Sequence, residues 1–193
     1  MIRNVIPKAL YAFLLLPIIS IKRLLVSLYY RKGDFEFGKN TFTSVYNLNY
    51  WGSSDSSSGG GSEMDSTKEV RRLLPEVLTK FNITSIVDIP CGDFNWMSKI
   101  NLSNIKYLGC DIVPELIKDN RKKYISKNID FRVLDITKDK IPDYDLIFCK
   151  DCLQHLSNDN VLKALEKIKS SNSKYLLVTS YPFTIRNWDI KDG

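Results

Sequence analysis

The sequence predicts an α/β domain built on a parallel sheet, and two observations carry that reading. Short, β-branched apolar runs alternate with stretches whose apolar residues recur at helical spacing. An acidic residue also stands at or near the end of each of the first four runs, where a parallel sheet places its ligands. Strands that alternate with helices need covering on both faces, which argues for two layers of helix around one sheet.

The elements are justified in order along the 193 residues. Residues 1–33 carry Arg3, Lys8, Lys22, Arg23, Arg31 and Lys32 and no acid, so the net charge of +6 resides there. The rest is balanced in charge, which sets nucleic-acid binding aside, since such a domain carries its own basic stripe. Residues 9–21 are uncharged and would span about 20 Å as a helix, short of the roughly 30 Å core of a bilayer. With flanking cations and Tyr29–Tyr30, the segment reads as an apolar helix lying on the cytoplasmic face of a membrane. A spanning anchor and a helix packed on the body are the alternatives. No small-x-small cleavage site follows it.

Residues 34–67 form a second segment, and within it 52–62, GSSDSSSGGGS, has the composition of a flexible linker. Ser66 and Glu69 have capping-box spacing, ahead of Val70, Leu73, Leu74, Val77, Leu78 and Phe81 at helical intervals. Pro75 predicts a kink or break in that helix. Strands are then predicted over 83–89, 107–112, 131–136, 145–150 and 175–180. Helices are predicted from Pro114 to about Lys127 and over 158–170, the latter capped by Ser157. The connection between the third and fourth strands is too short for a covering helix.

The strand ends read Asp88-Ile-Pro-Cys91-Gly92-Asp93-Phe94, Gly109-Cys-Asp111, Leu134-Asp135-Ile136 and Cys149-Lys-Asp151. A phosphate site would favour glycine-rich turns and lysines there. Carboxylates suit hydroxyls, amines and a positive centre instead. In order, these motifs resemble those of the class I S-adenosylmethionine-dependent methyltransferases. More narrowly, Trp51-Gly…Ser-Gly-Gly-Gly-Ser62 ahead of the Pro-Cys-Gly-Asp turn resembles a bacterial-type subgroup of that family. The resemblance spans roughly 45–190 and implies a Rossmann-like parallel sheet over 68–193, preceded by a lid over 34–67. It also implies seven strands where five are legible, so the sequence reads as a C-terminally truncated form or an unusually small sheet.

Carried onto this sequence, the resemblance implies that Asp88, Cys91 and Gly92 pass under the methionine part of S-adenosylmethionine. Asp111 would bind the ribose hydroxyls, Asp135 the adenine amine, and Ile136 an adenine flank. Residues Cys149 to Asp151 would line the floor near the sulfonium. Ser57, Gly59, Gly61 and Ser62 would close over cofactor or substrate, with Trp51 and Trp96 as stacking candidates or packing residues. Phe94 stands where the family prefers glycine.

Methyl transfer needs alignment above all, and an alcohol acceptor also needs a base. His155, the only histidine, lies six residues beyond Cys149 and is the candidate; Asp93 and Asp151 are rivals. The bland alternative is a loop histidine that bonds backbone. Cys149-Lys-Asp-Cys152 has metal spacing but no second such pair, so no metal is expected. The expected function is O-directed methyl transfer to a glycan, glycolipid or small-molecule acceptor. The alternative is a non-catalytic S-adenosylmethionine-binding or scaffold protein. A nicotinamide-dependent reductase would want glycines at positions 90 and 94 and lacks them.

Overall fold

The computed structural model describes residues 39–51, 53–181 and 188–193. The membrane-associating helix expected over 1–33 lies outside them. Among the described residues no helix is long and apolar enough to cross a membrane.

Helix α1 (Lys39–Asn47) is followed by the Ser/Gly-rich stretch, which contains a 3₁₀ turn over Gly60–Ser62, and by α2 (Lys68–Lys80). Then come β1 (Ser85–Asp88), β2 (Lys106–Asp111), α3 (Pro114–Tyr124), β3 (Ile129–Val133), β4 (Leu146–Cys149), α4 (Asn158–Ser170) and β5 (Tyr175–Val178). All five strands run parallel in the order β3-β2-β1-β4-β5. The chain builds outward from β1 to β3, then returns to the other side of β1 for β4. That return makes β1 and β4 the switch point of the sheet, where parallel α/β folds open a crevice.

Side-chain alternation sorts the sheet into two cores. Ile86, Tyr107, Phe131, Leu146 and Phe148 face one, with Leu74 and Leu78 of α2 and Leu116 and Ile117 of α3. Val87, Leu108, Cys110, Ile147 and Cys149 face the other, with Ala164 of α4 and the β3–β4 connection through Ile141. That connection holds no helix, as its length predicts.

Three local expectations change. Helix α2 runs through Pro75 without a break, because burying Leu74 and Leu78 outweighs the one bond proline removes. The Ser66–Glu69 capping box does not form. Thr67 holds the cap position, its hydroxyl donates to the Glu63 carbonyl at 2.8 Å, and Glu69 pairs with Arg72. Ser157 caps α4 with backbone alone; Asp192 and Asp189 accept the Ser157 and Asn158 N–H groups at 2.6 and 2.8 Å.

At the amino ends of the strands, Asp145 ties the sheet together. Its Oδ2 accepts the backbone and hydroxyl donors of Thr84 and Ser85 at 2.8–3.1 Å, and Lys174 reaches its Oδ1 at 3.3 Å. Those bonds, led by Thr84's, hold its carboxyl far below the ordinary carboxylate range.

Phe94 adopts the left-handed conformation (φ 58°) that the glycine of the family pattern would supply. Its ring does not face the cavity but turns into the core. There it meets Tyr107, Tyr124 and Phe131 at centroid distances of 5.1–5.2 Å, two of them edge-on. Aromatic packing offsets the backbone strain. Phe94→Ala keeps the strain and loses the packing, so equilibrium denaturant unfolding should show a loss of about 3–5 kcal/mol.

Candidate functional site

A cavity of about 390 Å³ opens at the carboxyl ends of β1, β2 and β4. Of the residues singled out in the sequence, it brings together Asp88, Cys91, Gly92, Asp111, Asp135, Ile136, Asp151, His155, Trp51, Ser57, Ser62 and Trp96. Three it does not. Cys149 is wholly buried in the core under β4. Gly59 and Gly61 do not line the cavity but make room behind its wall. A Cβ on Gly59 would lie 2.9 Å from Trp51, and one on Gly61 would lie 2.7 Å from the Asp151 carboxylate.

Asp88 ends β1 with only 2% of its surface exposed. Its Oδ2 accepts the Tyr107 hydroxyl at 2.5 Å, while its Oδ1 is buried with no hydrogen-bond partner among the described residues. Burial pushes its pKa up to about 8, opposed by the Tyr107 bond and the Lys150 charge. Asp111 ends β2; its Oδ1 accepts the Val113 N–H at 3.1 Å and its Oδ2 the Gly92 N–H at 3.2 Å. Burial again dominates and raises its pKa to about 6.

Between these two acids, the turn after β1 has Gly92 at φ 55°, where a Cβ would meet the Ser58 hydroxyl at 2.5 Å. Asn120, buried on α3, donates to the Gly92 carbonyl at 2.7 Å.

Asp135 is more committed locally than the resemblance implied. Its Oδ1 accepts the N–H and hydroxyl of Thr137 at 2.9 and 2.6 Å, and Lys138 pairs with its Oδ2 at 3.4 Å. Ile136 is buried beside it.

The Ser/Gly stretch is not a linker. Asp93 Oδ2 accepts the Ser56 hydroxyl, the Ser57 N–H and the Ser57 hydroxyl at 2.8–3.2 Å, and the Asp93 N–H donates to Ser58 at 2.8 Å. Asn95 donates to the Asp55 carbonyl, and Lys150 to the Gly61 carbonyl at 2.8 Å. Ser57, Ser58 and Ser62 thereby wall the cavity, with Phe42 and Tyr46 of α1. Asp93 was weighed in the sequence as a base; here its carboxylate is occupied in holding this wall. The composition of 52–62 hid that role, and no local pattern announced Asn120, Tyr46 or Asp192.

On the β4 side, Asp151 sits at φ 52°. Lys150 pairs with its Oδ2, and Gln154 and Tyr181 donate to its Oδ1 at 3.2 and 3.3 Å. His155 faces the cavity with its ring 5.1 Å from that of Trp51. Burial lowers its pKa, only partly opposed by Asp151, which favours the neutral imidazole. Asp192 and Gly193 brace its loop, the Gly193 N–H donating to the His155 carbonyl at 2.9 Å. Trp96 is 5% exposed and packs on Phe148 at 5.9 Å, so a wall of the cavity and a core contact are the same ring. Cys152 is a free thiol whose hydrogen bond with Cys149, then burial, pushes its pKa up. Among the described residues no group of three His, Cys, Asp or Glu side chains could hold a metal ion.

Residues 87–172 match the family model described as a methyltransferase domain. Among solved structures, the methyltransferase domain of bacterial CtHen1 is similar at 17% identity and a TM-score of 0.50. That match covers 58% of this chain and 64% of that one. A DhpI complex with SAM and HEP is similar at 16% identity and 0.51, over 72% and 61%. The cyclase SpnF is similar at 15% and 0.51, over 68% and 55%. This chain thus spans less than two thirds of the length of each. No curated protein matches. The likenesses show the fold: the Rossmann-like parallel α/β sheet of the methyltransferase type.

Two outcomes test this geometry. The folded protein retains protons on Asp88 and Asp111 that the unfolded chain releases above about pH 4, so stability falls as pH rises toward 8. The midpoint of thermal unfolding should drop between pH 6.5 and 8.5, and Asp88→Asn should flatten that slope. Asp93→Ala should raise amide hydrogen exchange over 53–62 by at least about tenfold, with the β1 and β2 amides unchanged.

Proposed function

We propose that the chain is an S-adenosylmethionine-dependent methyltransferase directed at an oxygen acceptor, a glycan, glycolipid or small molecule. The observation that carries the reading is Asp88. It is a buried acid at the switch point, one oxygen held and the other without a hydrogen-bond partner among the described residues, in a domain that matches a methyltransferase model. An unpartnered buried oxygen is costly unless a ligand completes it. The acceptor set fits a cation carrying an amine and two vicinal hydroxyls.

Each residue then has a task. The free Asp88 oxygen accepts from the amino group of the cofactor. Asp111, at the second strand end, accepts from the ribose hydroxyls, and Ile136 with Ile112 flanks the adenine. Asp135 steers the adenine end through its turn, since Thr137 and Lys138 hold its carboxylate. Cys91 and Gly92 shape the loop under the amino-acid part. Ser57, Ser58 and Ser62, clamped by Asp93, form the lid that excludes water, and Trp51 bridges that lid to His155. When bound, S-adenosylmethionine supplies an electrophilic methyl group on a sulfonium.

His155, neutral and at the cavity wall, takes the proton of the acceptor hydroxyl as its oxygen attacks. Asp151 holds the loop and stabilises the imidazolium that forms. Its three side-chain partners disfavour it as the base.

Calorimetric titration of S-adenosylhomocysteine into the full chain tests the reading. We expect saturable one-to-one binding, lost by at least about tenfold in Asp111→Ala because two ribose hydrogen bonds go with the carboxylate. A cooperatively melting protein that gives no heat with this ligand would refute the cofactor. If it binds, hydroxyl acceptors screened for S-adenosylhomocysteine release should show turnover that falls by about 10²–10⁴-fold in His155→Gln, with cofactor affinity kept.

A further inference from the structure

We propose that Tyr107 is a positioning residue for the amino-acid end of the cofactor: its hydroxyl captures one oxygen of Asp88 so that the other is presented to an ammonium group. The inference rests on the cofactor reading above and adds a residue that no strand-end motif contains.

The geometry comes from strand register. In the β1–β2 pairing Ile86 lies beside Tyr107 and Asp88 beside Gly109. Partners in a parallel pair share a face, and side chains alternate along each strand, so Asp88 and Tyr107 are diagonal neighbours on one face. Gly109 leaves the space between them open; a Cβ there would lie 2.6 Å from the Phe131 ring. Phe131 fills that space and meets Tyr107 edge-on at 6.2 Å, while Phe94 packs on Tyr107 at 5.1 Å. The phenol ring is fixed on both sides and only 1% exposed. Its hydroxyl therefore has one direction available and spends it on Asp88 Oδ2 at 2.5 Å.

Two consequences follow for the carboxylate. A rotating carboxylate would present either oxygen; one bonded to a fixed phenol presents Oδ1 alone, and Oδ1 has no hydrogen-bond partner among the described residues. The charged and titratable groups around Asp88 include Tyr107, Asp111, Lys150 and the buried thiols of Cys91 and Cys110. Tyr107 itself does not ionise: burial, with the Asp88 charge beside it, pushes its pKa well above the ordinary phenol value. It is a permanent donor, supporting the charged form of Asp88 against its burial. Burial leaves a proton on Asp88 near neutrality, and an ammonium brought to the free oxygen favours its release, so the site selects a cation over a neutral group.

The test compares two ligands on the full chain. S-adenosylhomocysteine carries the amino acid; 5′-methylthioadenosine keeps the nucleoside and thioether and lacks the amino acid. Tyr107→Phe should weaken S-adenosylhomocysteine by about tenfold or more, the worth of a hydrogen bond to a charged group, and leave 5′-methylthioadenosine within about twofold. Should the phenylalanine variant not melt cooperatively, Asp88→Glu keeps the charge and displaces the free oxygen, and should give the same selective loss. Equal losses for both ligands, or none, would overturn the positioning role while leaving the cofactor reading intact. A wild-type protein that binds neither ligand overturns both.

Discussion

The position of β1 constrains everything else. It is four residues long, paired on both sides by β2 and β4, and buried on both faces. Such a strand can leave the sheet only at its ends. At the carboxyl end the chain must turn sharply while its neighbours diverge, since β2 continues outward and β4 belongs to the returning half. The crevice at that point follows from topology, and the side chains that reach it come from the ends of separate strands. A change to β1 that cost its pairing would disperse those acids even if each remained in the sequence.

Within that crevice the protein holds carboxylates where water does not compensate them. Asp88 and Asp111 are both raised well above their ordinary range by burial. Each is supported by neutral donors: a phenol for one, the amides of Gly92 and Val113 for the other. Neutral donors favour the charged form of a buried acid without cancelling its charge, so a cation that displaces the proton meets that charge in full. The stability lost to unmet carboxylates is the kind that function imposes on a local region.

The strands and helices α2, α3 and α4 were legible because their apolar residues recur at a fixed period, whereas α1 over Lys39–Asn47 was not expected. Strands β1 to β5 fall within one or two residues of their expected places, save β3, which starts and ends earlier. The acids at strand ends were legible for the same reason, since alternation and turn residues locate an end. What could not be read is whatever depends on partners distant in sequence. Asp93 bonds residues some 36 positions away, and nothing in Ser56-Ser57-Ser58 distinguishes a clamped serine from a linker serine. Likewise Ser157 was a plausible cap, and only the folded chain brings Asp192 across 35 residues to take its N–H. The Phe94 substitution for glycine looked like a loss of backbone freedom. It is explained by three aromatic rings contributed by β2, α3 and β3.

The Asp145 knot carries a consequence for how the chain assembles. Its bonds to Thr84 and Ser85 span 61 and 60 residues, and the β1–β4 pairing spans the same interval. The units between, β2, α3 and β3, can meet over short loops. Contacts of long separation cost chain entropy before they return any stabilisation, and parallel pairing is slow for that reason. The half-sheet β1-β2-β3 is thus the part that can form early. The crevice exists only where β4 lies beside β1, so a binding-competent site requires this long-range pairing and not the half-sheet alone.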